Sequence, residues 1–287
     1  MEKRSMGMAA KRRTANIVTY VILVMISIIW IIPFVFLVLQ SFDVANPGLT
    51  SNIWPEKWGL DNFIYLFSAE SNFLRWYFNT FLIALFACVG QTAMQFMMAY
   101  ALSRFRFKLR KTMMNVMLIL GMFPGFLTMV VLYEVLSGLG MTGDNAVPGL
   151  ILVSIASSGM GYYVAKGFLD TMPKSLDEAA EVDGATKFQV FYKVIMPLCK
   201  PIVIYTVLTS FMGPWGDFIF AAAIAKGAQG GMNVATGLYS WLESSNIAGF
   251  YKYFCAGGVI VAIPVIILFL FLQKYYVEGV TGGAVKG

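Results

Sequence analysis

Six long apolar runs, separated by polar or charged segments, divide this chain of 287 residues. A helix needs about 20 apolar residues to cross the roughly 30 Å hydrocarbon core of a membrane, and each run comes close to or exceeds that length. The pattern predicts an all-α integral membrane protein with spans at about 17–39, 77–101, 113–136, 147–169, 202–225 and 254–272. These spans form a transmembrane domain at 17–275, with tails at 1–16 and 276–287.

The composition agrees with a membrane protein and narrows its chemistry. Apolar residues make up 59% of the chain and charged residues 13%, and histidine is absent. Without histidine there is no Ser-His-Asp triad and no imidazole metal ligand. The three cysteines have no CxxC spacing, so neither a zinc site nor a disulfide framework is indicated. We therefore expect no catalytic residues, no metal and no bound cofactor.

The cations predict one orientation in the membrane. Sixteen of the 21 Lys and Arg residues fall in the N-terminal tail, after the second and fourth spans, or in the C-terminal tail, and only four fall in the other loops. Cytoplasmic loops carry the excess of Lys and Arg. Both termini are therefore predicted to be cytoplasmic, as an even number of spans requires. The same placement beside apolar runs favours a membrane surface over nucleic acid as the partner of the basic charge.

The loop between the fourth and fifth spans, residues 170–201, has the composition of two helices. Ser175 and Glu178 have the spacing of a capping box at the start of the first helix. Gly184 suits a turn, since it has no Cβ. The second helix is expected to carry Phe188, Phe191, Tyr192 and Ile195 on one side and to reach Pro197.

Two interpretations of this loop remain open from the residues alone. A surface helix could lie on its own bundle or on the lipid interface. The acidic first helix is unfavourable at an anionic membrane, and exposed apolar positions on two helices suit a groove in a partner protein better.

A longer motif in this loop resembles a known family. Glu178-Ala179-Ala180, three residues, Gly184, nine residues and then Val194-Ile195-Met196-Pro197 is similar to the EAA loop of binding-protein-dependent ABC importer permeases. The family pattern is EAA-x3-G-x9-I-x-L-P, so valine and methionine replace isoleucine and leucine here. The C-terminal YYVEGVTGGAVKG resembles the end of the second permease subunit of maltose/maltodextrin importers.

The resemblance implies a coupling helix that docks on a cytoplasmic ATPase subunit. The residues that would carry ATPase coupling are Glu178, Ala179, Ala180, Asp183, Gly184 and Pro197. The implied partners are a second, homologous permease, two ABC ATPase subunits that bind ATP and Mg, and an extracytoplasmic sugar-binding protein. The implied location is the inner (cytoplasmic) membrane. By the same resemblance the tail at residues 281–287 extends toward the ATPases.

Polar residues within spans are candidates for the translocation path, because they are costly in lipid. Trp215 and Asp217 lie beside Pro214 at a predicted break in the fifth span, and an aromatic ring with a carboxylate suits a sugar. A structural kink, with Asp217 paired to a neighbouring subunit, is the alternative. Gln91 and Gln95 share a face of the second span, where interhelical hydrogen bonding is the commoner use of amides.

The outer loop at 226–253 supplies the candidates for binding-protein contact. By its position in the resemblance it would reach into the binding protein, and it contains Tyr239, Trp241 and Glu243. No motif in the loop supports this role independently.

These observations predict the permease subunit of an ATP-driven importer for an oligosaccharide, of the maltodextrin type. A permease for another sugar or a glycerol-phosphate-type solute is the alternative. An ion-coupled secondary carrier is a further, less favoured alternative. It would need ionisable groups near the midplane and usually internal repeats, whereas spans one, two, four and six lack deep acidic residues and the two halves show no repeat. An intramembrane enzyme is disfavoured by the missing histidine.

Overall fold

The computed structural model describes residues 2–50, 52–157 and 161–284, with side chains for 11–50, 52–157 and 161–274. Within these ranges every regular element is helical, and one isolated bridge joins Asp43 to Trp58. The prediction of an all-α protein is confirmed.

The helices of the described residues are numbered in chain order. They are α1 (Glu2–Ser41), α2 (Asp61–Leu66), α3 (Phe73–Arg104), α4 (Arg110–Gly121), α5 (Gly125–Gly138), α6 (Ala146–Ala156), α7 (Gly161–Asp170), α8 (Ser175–Val182), α9 (Lys187–Leu198), α10 (Lys200–Gly216), α11 (Ile219–Ala225), α12 (Val234–Ser240) and α13 (Ile247–Ala284). The predicted N-terminal tail is helical from Glu2 as part of α1, and α13 continues to Ala284. Residues 285–287 of the predicted C-terminal tail lie outside the described residues.

Among the described residues, four helical segments are long and apolar enough to cross a membrane, and six are if each of two bent helix pairs counts as one span. The four are Lys11–Ser41, Phe73–Arg104, Gly143–Asp170, which includes the undescribed residues 158–160, and Ile247–Lys274. The bent pairs are α4 with α5, at 100°, and α9 with α10, at 84°.

The third predicted span is not one straight helix. It divides into α4 and α5, and the chain turns by 100° between Gly121 and Gly125. Pro124 explains the break, because it has no N–H to donate to the preceding turn and its extended backbone, with ψ of 122°, begins a new helix.

The fifth predicted span is also interrupted, at the predicted site. Pro214 lies inside α10, and the helix ends at Gly216 because Asp217 is extended, with ψ of 97°. The side-chain amide of Asn233 donates to the carbonyl oxygens of Pro214 at 3.3 Å and Asp217 at 2.6 Å. The interruption is therefore stabilised by a residue that precedes α12.

The chain forms two compact units. The first consists of the residues to Ser68 and Trp241–Ile260. Its polar centre is Lys252, which is fully buried and donates to the carboxylate of Asp43 at 3.0 Å and to the side-chain oxygen of Gln40. Asn62 is also buried and donates to the backbone carbonyls of Ser41 and Asp43. Each of these buried side chains thus has a hydrogen-bond partner.

The second unit consists of Ala69–Ser240 and the residues from Val261. Its centre is α3, which packs against α6, α7 and α10. The N-terminal end of α3 binds the segment before α12: the amide of Asn79 donates to the carbonyls of Gly230 and Met232, and the N–H of Val234 donates to Thr80 Oγ. Gly237 lies against the ring of Trp76, where no side chain would fit. This segment is consequently fixed to α3.

Candidate functional site

The loop at 170–201 contains two helices with a glycine turn between them, as predicted. α8 ends at Val182, and Gly184 has a φ of +85°, the left-handed region that glycine adopts readily. The predicted capping box is wrong, because Ser175 is already helical and no side chain caps α8. A capping box begins α9 instead, where Thr186 and Gln189 each accept a hydrogen bond from the other's backbone N–H.

The buried side of α9 packs on its own bundle. Val190 and Ile195 are fully buried in a cluster with residues of α3 and α7, and the ring of Phe191 lies 5.1 Å from that of Tyr100. The prediction that one side of this helix carries its apolar residues is therefore only partly correct, because Phe188 is 71% exposed. The helix is π-helical over Val190–Ile195, which shifts its faces from those of an ideal α-helix.

Most of the motif residues face away from the bundle. Glu178, Ala179, Asp183, Gly184 and Pro197 are exposed. Ala180 is partly buried and packs against the apolar cluster around α9. Val182 is 87% exposed and Tyr192 66%, so the loop has one face on its own bundle and a second, partly apolar face that is unoccupied by described residues.

One ion pair ties α8 to the membrane-spanning part of the unit. Arg104, the last residue of α3, places its Nε 3.0 Å from a carboxylate oxygen of Asp177, and the two side chains are 6% and 10% exposed. Arg104 also donates to the carbonyl of Met172 at 3.4 Å. In the sequence, Arg104 is one of the cations that follow the second span, and Asp177 is one of the acids of the first helix in this loop. Nothing in their spacing showed that they would meet.

A polar cavity of about 290 Å³ lies among α3, α6 and α10 of the second unit. The residues that line it are Ala87, Gln91, Ser154, Ser157, Thr209, Ser210, Gly213, Pro214 and Asp217. It brings together two of the predicted path residues, Gln91 and Asp217. The hydroxyls of Ser157 and Thr209 donate to backbone carbonyls of their own segments, so their oxygens remain acceptors. The hydroxyl residues were missed because serine and threonine occur in many spans without a pattern.

Asp217 also has a structural contact. Its carboxylate lies close to the backbone N–H groups of Phe220 and Ala221, at the start of α11. An anionic side chain at this helix start is also favoured by the helix dipole. The residue thus belongs both to the cavity and to the interruption after α10.

The other two predicted path residues lie outside this cavity. Trp215 is 6% exposed, and its ring packs edge-on against Tyr77 with centroids 5.2 Å apart. Gln95 is 4% exposed and donates to Thr206 Oγ at 3.3 Å, so it joins α3 to α10. This bond is the interhelical use that was the alternative for the two glutamines.

The three outer-loop candidates have different environments. In the second unit, Tyr239 is 49% exposed and its ring lies 4.3 Å from that of Phe218. In the first unit, Trp241 is 6% exposed and stacks on Phe250, whereas Glu243 is exposed. Trp241 is therefore part of an aromatic core and does not present its ring at the surface.

The apolar helices and the polar cavity among them define a multi-pass membrane protein. Residues 91–282 match the model of the family described as "binding-protein-dependent transport system inner membrane component". The chain belongs to this family and is an inner-membrane transport permease, as the EAA-like motif predicted.

Two relatives illustrate the similarity. The chain is 32% identical to the galactooligosaccharides transport system permease protein GanQ of Bacillus subtilis, over 98% of this chain and 99% of the relative. It is 34% identical to the maltodextrin transport system permease protein MalD of Streptococcus pneumoniae, over 96% and 98%.

A solved structure has the same fold. It is a bacterial ABC transporter involved in the import of the acidic polysaccharide alginate, and the likeness covers 92% of this chain and 97% of that chain, with a TM-score of 0.77 and 22% identity.

Proposed function

We propose that this chain is the permease subunit of an ATP-driven importer for a neutral oligosaccharide, of the maltodextrin type, and that it forms half of the translocation path. The observation that carries the proposal is the similarity to oligosaccharide permeases over almost the whole chain. The chain itself has no catalytic role in this proposal, and ATP hydrolysis belongs to the partner subunits.

The lining of the polar cavity supports a neutral sugar. Its hydroxyls and the amide of Gln91 are groups that exchange hydrogen bonds with sugar hydroxyls, and no Lys or Arg is among the lining residues that the structure describes. A phosphorylated solute, the glycerol-phosphate alternative, would need a cation there. At about 290 Å³ the cavity is at the small end of ligand sites, which suits one end of a sugar chain.

An ion-coupled carrier is a poorer fit to the same cavity. Asp217 is the one ionisable residue in its described lining, and its carboxylate lies against the backbone N–H groups of Phe220 and Ala221 at a helix start. A coupling site needs an ionisable group that is free to exchange its ion or proton during transport.

The proposed topology has six spans, two of them broken, and both termini in the cytoplasm. It places the loop at 170–201 at the cytoplasmic face, where α8 would dock on an ATPase subunit. Support comes from the exposed positions of Glu178 and Val182, and from the burial of the opposite side of the loop on the bundle. Arg104 and Asp177 would carry the movement of α8 to α3.

The proposed assembly contains this chain, a second homologous permease, two ATPase subunits and an extracytoplasmic sugar-binding protein. The exposed Tyr239 and Glu243 are the residues of the outer loop that remain candidates for contact with the binding protein.

The test is uptake of labelled sugars by cells that lack the gene for this chain. We expect loss of maltodextrin uptake and its recovery with the wild-type gene. Galactooligosaccharide, arabinooligosaccharide and glycerol phosphate are the comparison substrates. Recovery of glycerol phosphate uptake alone would contradict the proposal, and so would uptake that an ion gradient drives without ATP.

A further inference from the structure

A basic cavity of about 480 Å³ lies where the chain passes from α3 to α4. The residues that line it are Arg106, Phe107, Lys108, Arg110, Lys111 and Met114. Four of these six side chains are cationic, and none is acidic. The cavity therefore has a field that attracts an anion.

The four cations have no ion-pair partner among the described residues. Arg110 is close enough to Asp170 to interact electrostatically. That carboxylate, however, already accepts hydrogen bonds from Lys166 at 2.5 Å and Ser103 at 2.6 Å. The positive charge of the basic cavity is thus not neutralised by the part of the chain that the structure describes.

The start of α4 adds to the positive potential of the basic cavity. Leu109 precedes the helix and offers no capping side chain, and no acidic residue lies in the first turn. Arg110 and Lys111 instead place two cations at the positive end of the helix dipole, which is unfavourable. An anion in the basic cavity would offset both the dipole and the cations.

The surroundings of the basic cavity distinguish a lipid from a soluble anion. Exposed apolar side chains alternate with the cations: Phe105 is 40% exposed, Phe107 41%, Leu109 64% and Met113 40%. α3 has 32 residues, or about 48 Å at 1.5 Å per residue, so its end extends beyond the hydrocarbon core. Apolar and cationic side chains together are typical of a segment at the lipid interface, with its cations at the depth of the headgroups.

We propose that the basic cavity binds the phosphate headgroup of an anionic phospholipid such as phosphatidylglycerol. The cavity is at the cytoplasmic leaflet in the proposed topology, and this part of the inference rests on the proposed function. The lipid would anchor α4, which has no buried residue, in addition to the hydrogen bond that Tyr163 donates to the Met114 carbonyl at 2.6 Å. The broken span α4–α5 would thereby take its position from a lipid.

The experiment measures phosphatidylglycerol retained by the full-length purified chain, using native mass spectrometry after extraction from mixed phosphatidylcholine and phosphatidylglycerol vesicles. The test variant carries Lys108→Gln, Arg110→Gln and Lys111→Gln. We expect it to retain about tenfold less phosphatidylglycerol than wild type, because it removes three of the four cations that would contact the phosphate in the cavity. The matched control carries Lys11→Gln, Arg12→Gln and Arg13→Gln, which remove the same charge outside the basic cavity, and should retain the wild-type amount.

Equal losses in the two triple variants would overturn the proposal, since charge alone would then explain retention. Unchanged retention in the test variant would overturn it as well, and so would displacement of the lipid by inorganic phosphate, which would identify a soluble anion as the ligand. A photoactivatable phosphatidylglycerol on the wild-type chain gives a second measurement that needs no variant. Its adducts should map to residues 105–114, and adducts confined to other segments would contradict the site. Because neither readout involves sugar or ATP, a chain that retains lipid but imports no sugar would refute only the proposed function.

Discussion

The Nε atom of Arg104 lies 3.0 Å from the carboxylate of Asp177, and this buried ion pair joins the end of α3 to α8. Asp177 is the buried residue of α8, whereas Glu178 and Val182 are exposed on the same short helix. The pair is therefore the main polar link between the exposed face of the loop and the long central helix of the second unit.

Removing one member of this pair should uncouple the ATPases from transport. In Asp177→Asn the buried Arg104 loses its counter-charge, which costs about 3 kcal/mol and releases α8 from α3. We expect sugar-stimulated ATPase activity of the reconstituted importer to fall about tenfold while the chain still inserts and assembles. The charge exchange Arg104→Asp with Asp177→Arg should recover part of it.

A second ion pair in the same loop is the control. Lys187 and Glu181 pair at the surface, where their side chains are 61% and 35% exposed. Surface pairs contribute about 0–1 kcal/mol, so Glu181→Gln should leave coupling near wild type. Equal losses in Glu181→Gln and Asp177→Asn would show that general loop charge, and not this buried pair, matters.

The turn at Gly184 gives a second prediction. Its φ of +85° is strained for a β-branched side chain, while nothing lies within 4 Å of the position of a Cβ. Gly184→Val should therefore cost about 1–3 kcal/mol through the backbone alone and reduce transport without loss of insertion. Gly184→Asn should retain more transport, since asparagine tolerates the left-handed region.

Gly167 provides the matched control for this substitution. It lies within α7 and likewise has nothing within 4 Å of its Cβ position, but it lacks a positive φ. Gly167→Val, which introduces the same side chain, should transport sugar at close to the wild-type rate. Full transport by Gly184→Val, measured as uptake in cells, would show that coupling does not depend on the conformation of this turn.

Substitutions of Gln91 and Gln95, the two glutamines of α3, should have different effects on transport and on stability. Gln91 lines the polar cavity, so Gln91→Leu should raise the apparent KM for sugar about tenfold, the equivalent of one or two hydrogen bonds, with an unchanged melting temperature. Gln95 is buried and bonds to Thr206, so Gln95→Leu should lower stability by about 1 kcal/mol and leave KM unchanged. Uptake kinetics and thermal unfolding in detergent measure the two. If Gln95→Leu raised the KM and Gln91→Leu did not, the sugar path would not pass through this cavity.

The buried carboxylate of the first unit predicts a pH dependence. Burial acts to raise the pKa of Asp43, but hydrogen bonds from Lys252, Ala45 and Lys57 outweigh it and hold the pKa of this carboxyl below its usual range. Because the pKa of Asp43 is lower in the folded chain than in the unfolded chain, its ionised carboxylate stabilises the fold at pH values above the unfolded-state pKa, near 4. This stabilisation is lost as the pH falls toward the folded-state pKa. Asp43→Asn should thus be less stable than wild type at pH 7, with a difference that shrinks near pH 3.

Thermal unfolding at the two pH values checks this, with the exposed Glu56 as the control. Glu56→Gln should be nearly as stable as wild type at both. If Asp43→Asn kept its full stability at pH 7, the ion pair with Lys252 would not contribute to the first unit.

Much of the fold could be predicted because membrane insertion of a helix depends on the summed hydrophobicity of one contiguous segment. Each run of about 20 apolar residues is recognisable by itself. Pro214 marks the region of the interruption in the fifth span, but the helix ends only at Gly216, where Asp217 is extended. The turn at Gly184 is local in the same sense. The ends of the helices were less predictable: Ser175 matched the capping-box pattern, but the box formed at Thr186, because a cap depends on where the chain leaves the helix.

The class of protein, the positions of the apolar helices and the place of the EAA-like loop could all be predicted from the amino-acid sequence, since they depend on composition and spacing along the chain. Which polar residues meet became known only from the folded chain. Arg104 pairs with Asp177, and Gln91 shares a cavity with Asp217 while Gln95 does not. Neighbours on one helix differ in this way because the packing of other helices against α3, which depends on side chains far apart in the chain, sets which face is buried and which lines a cavity.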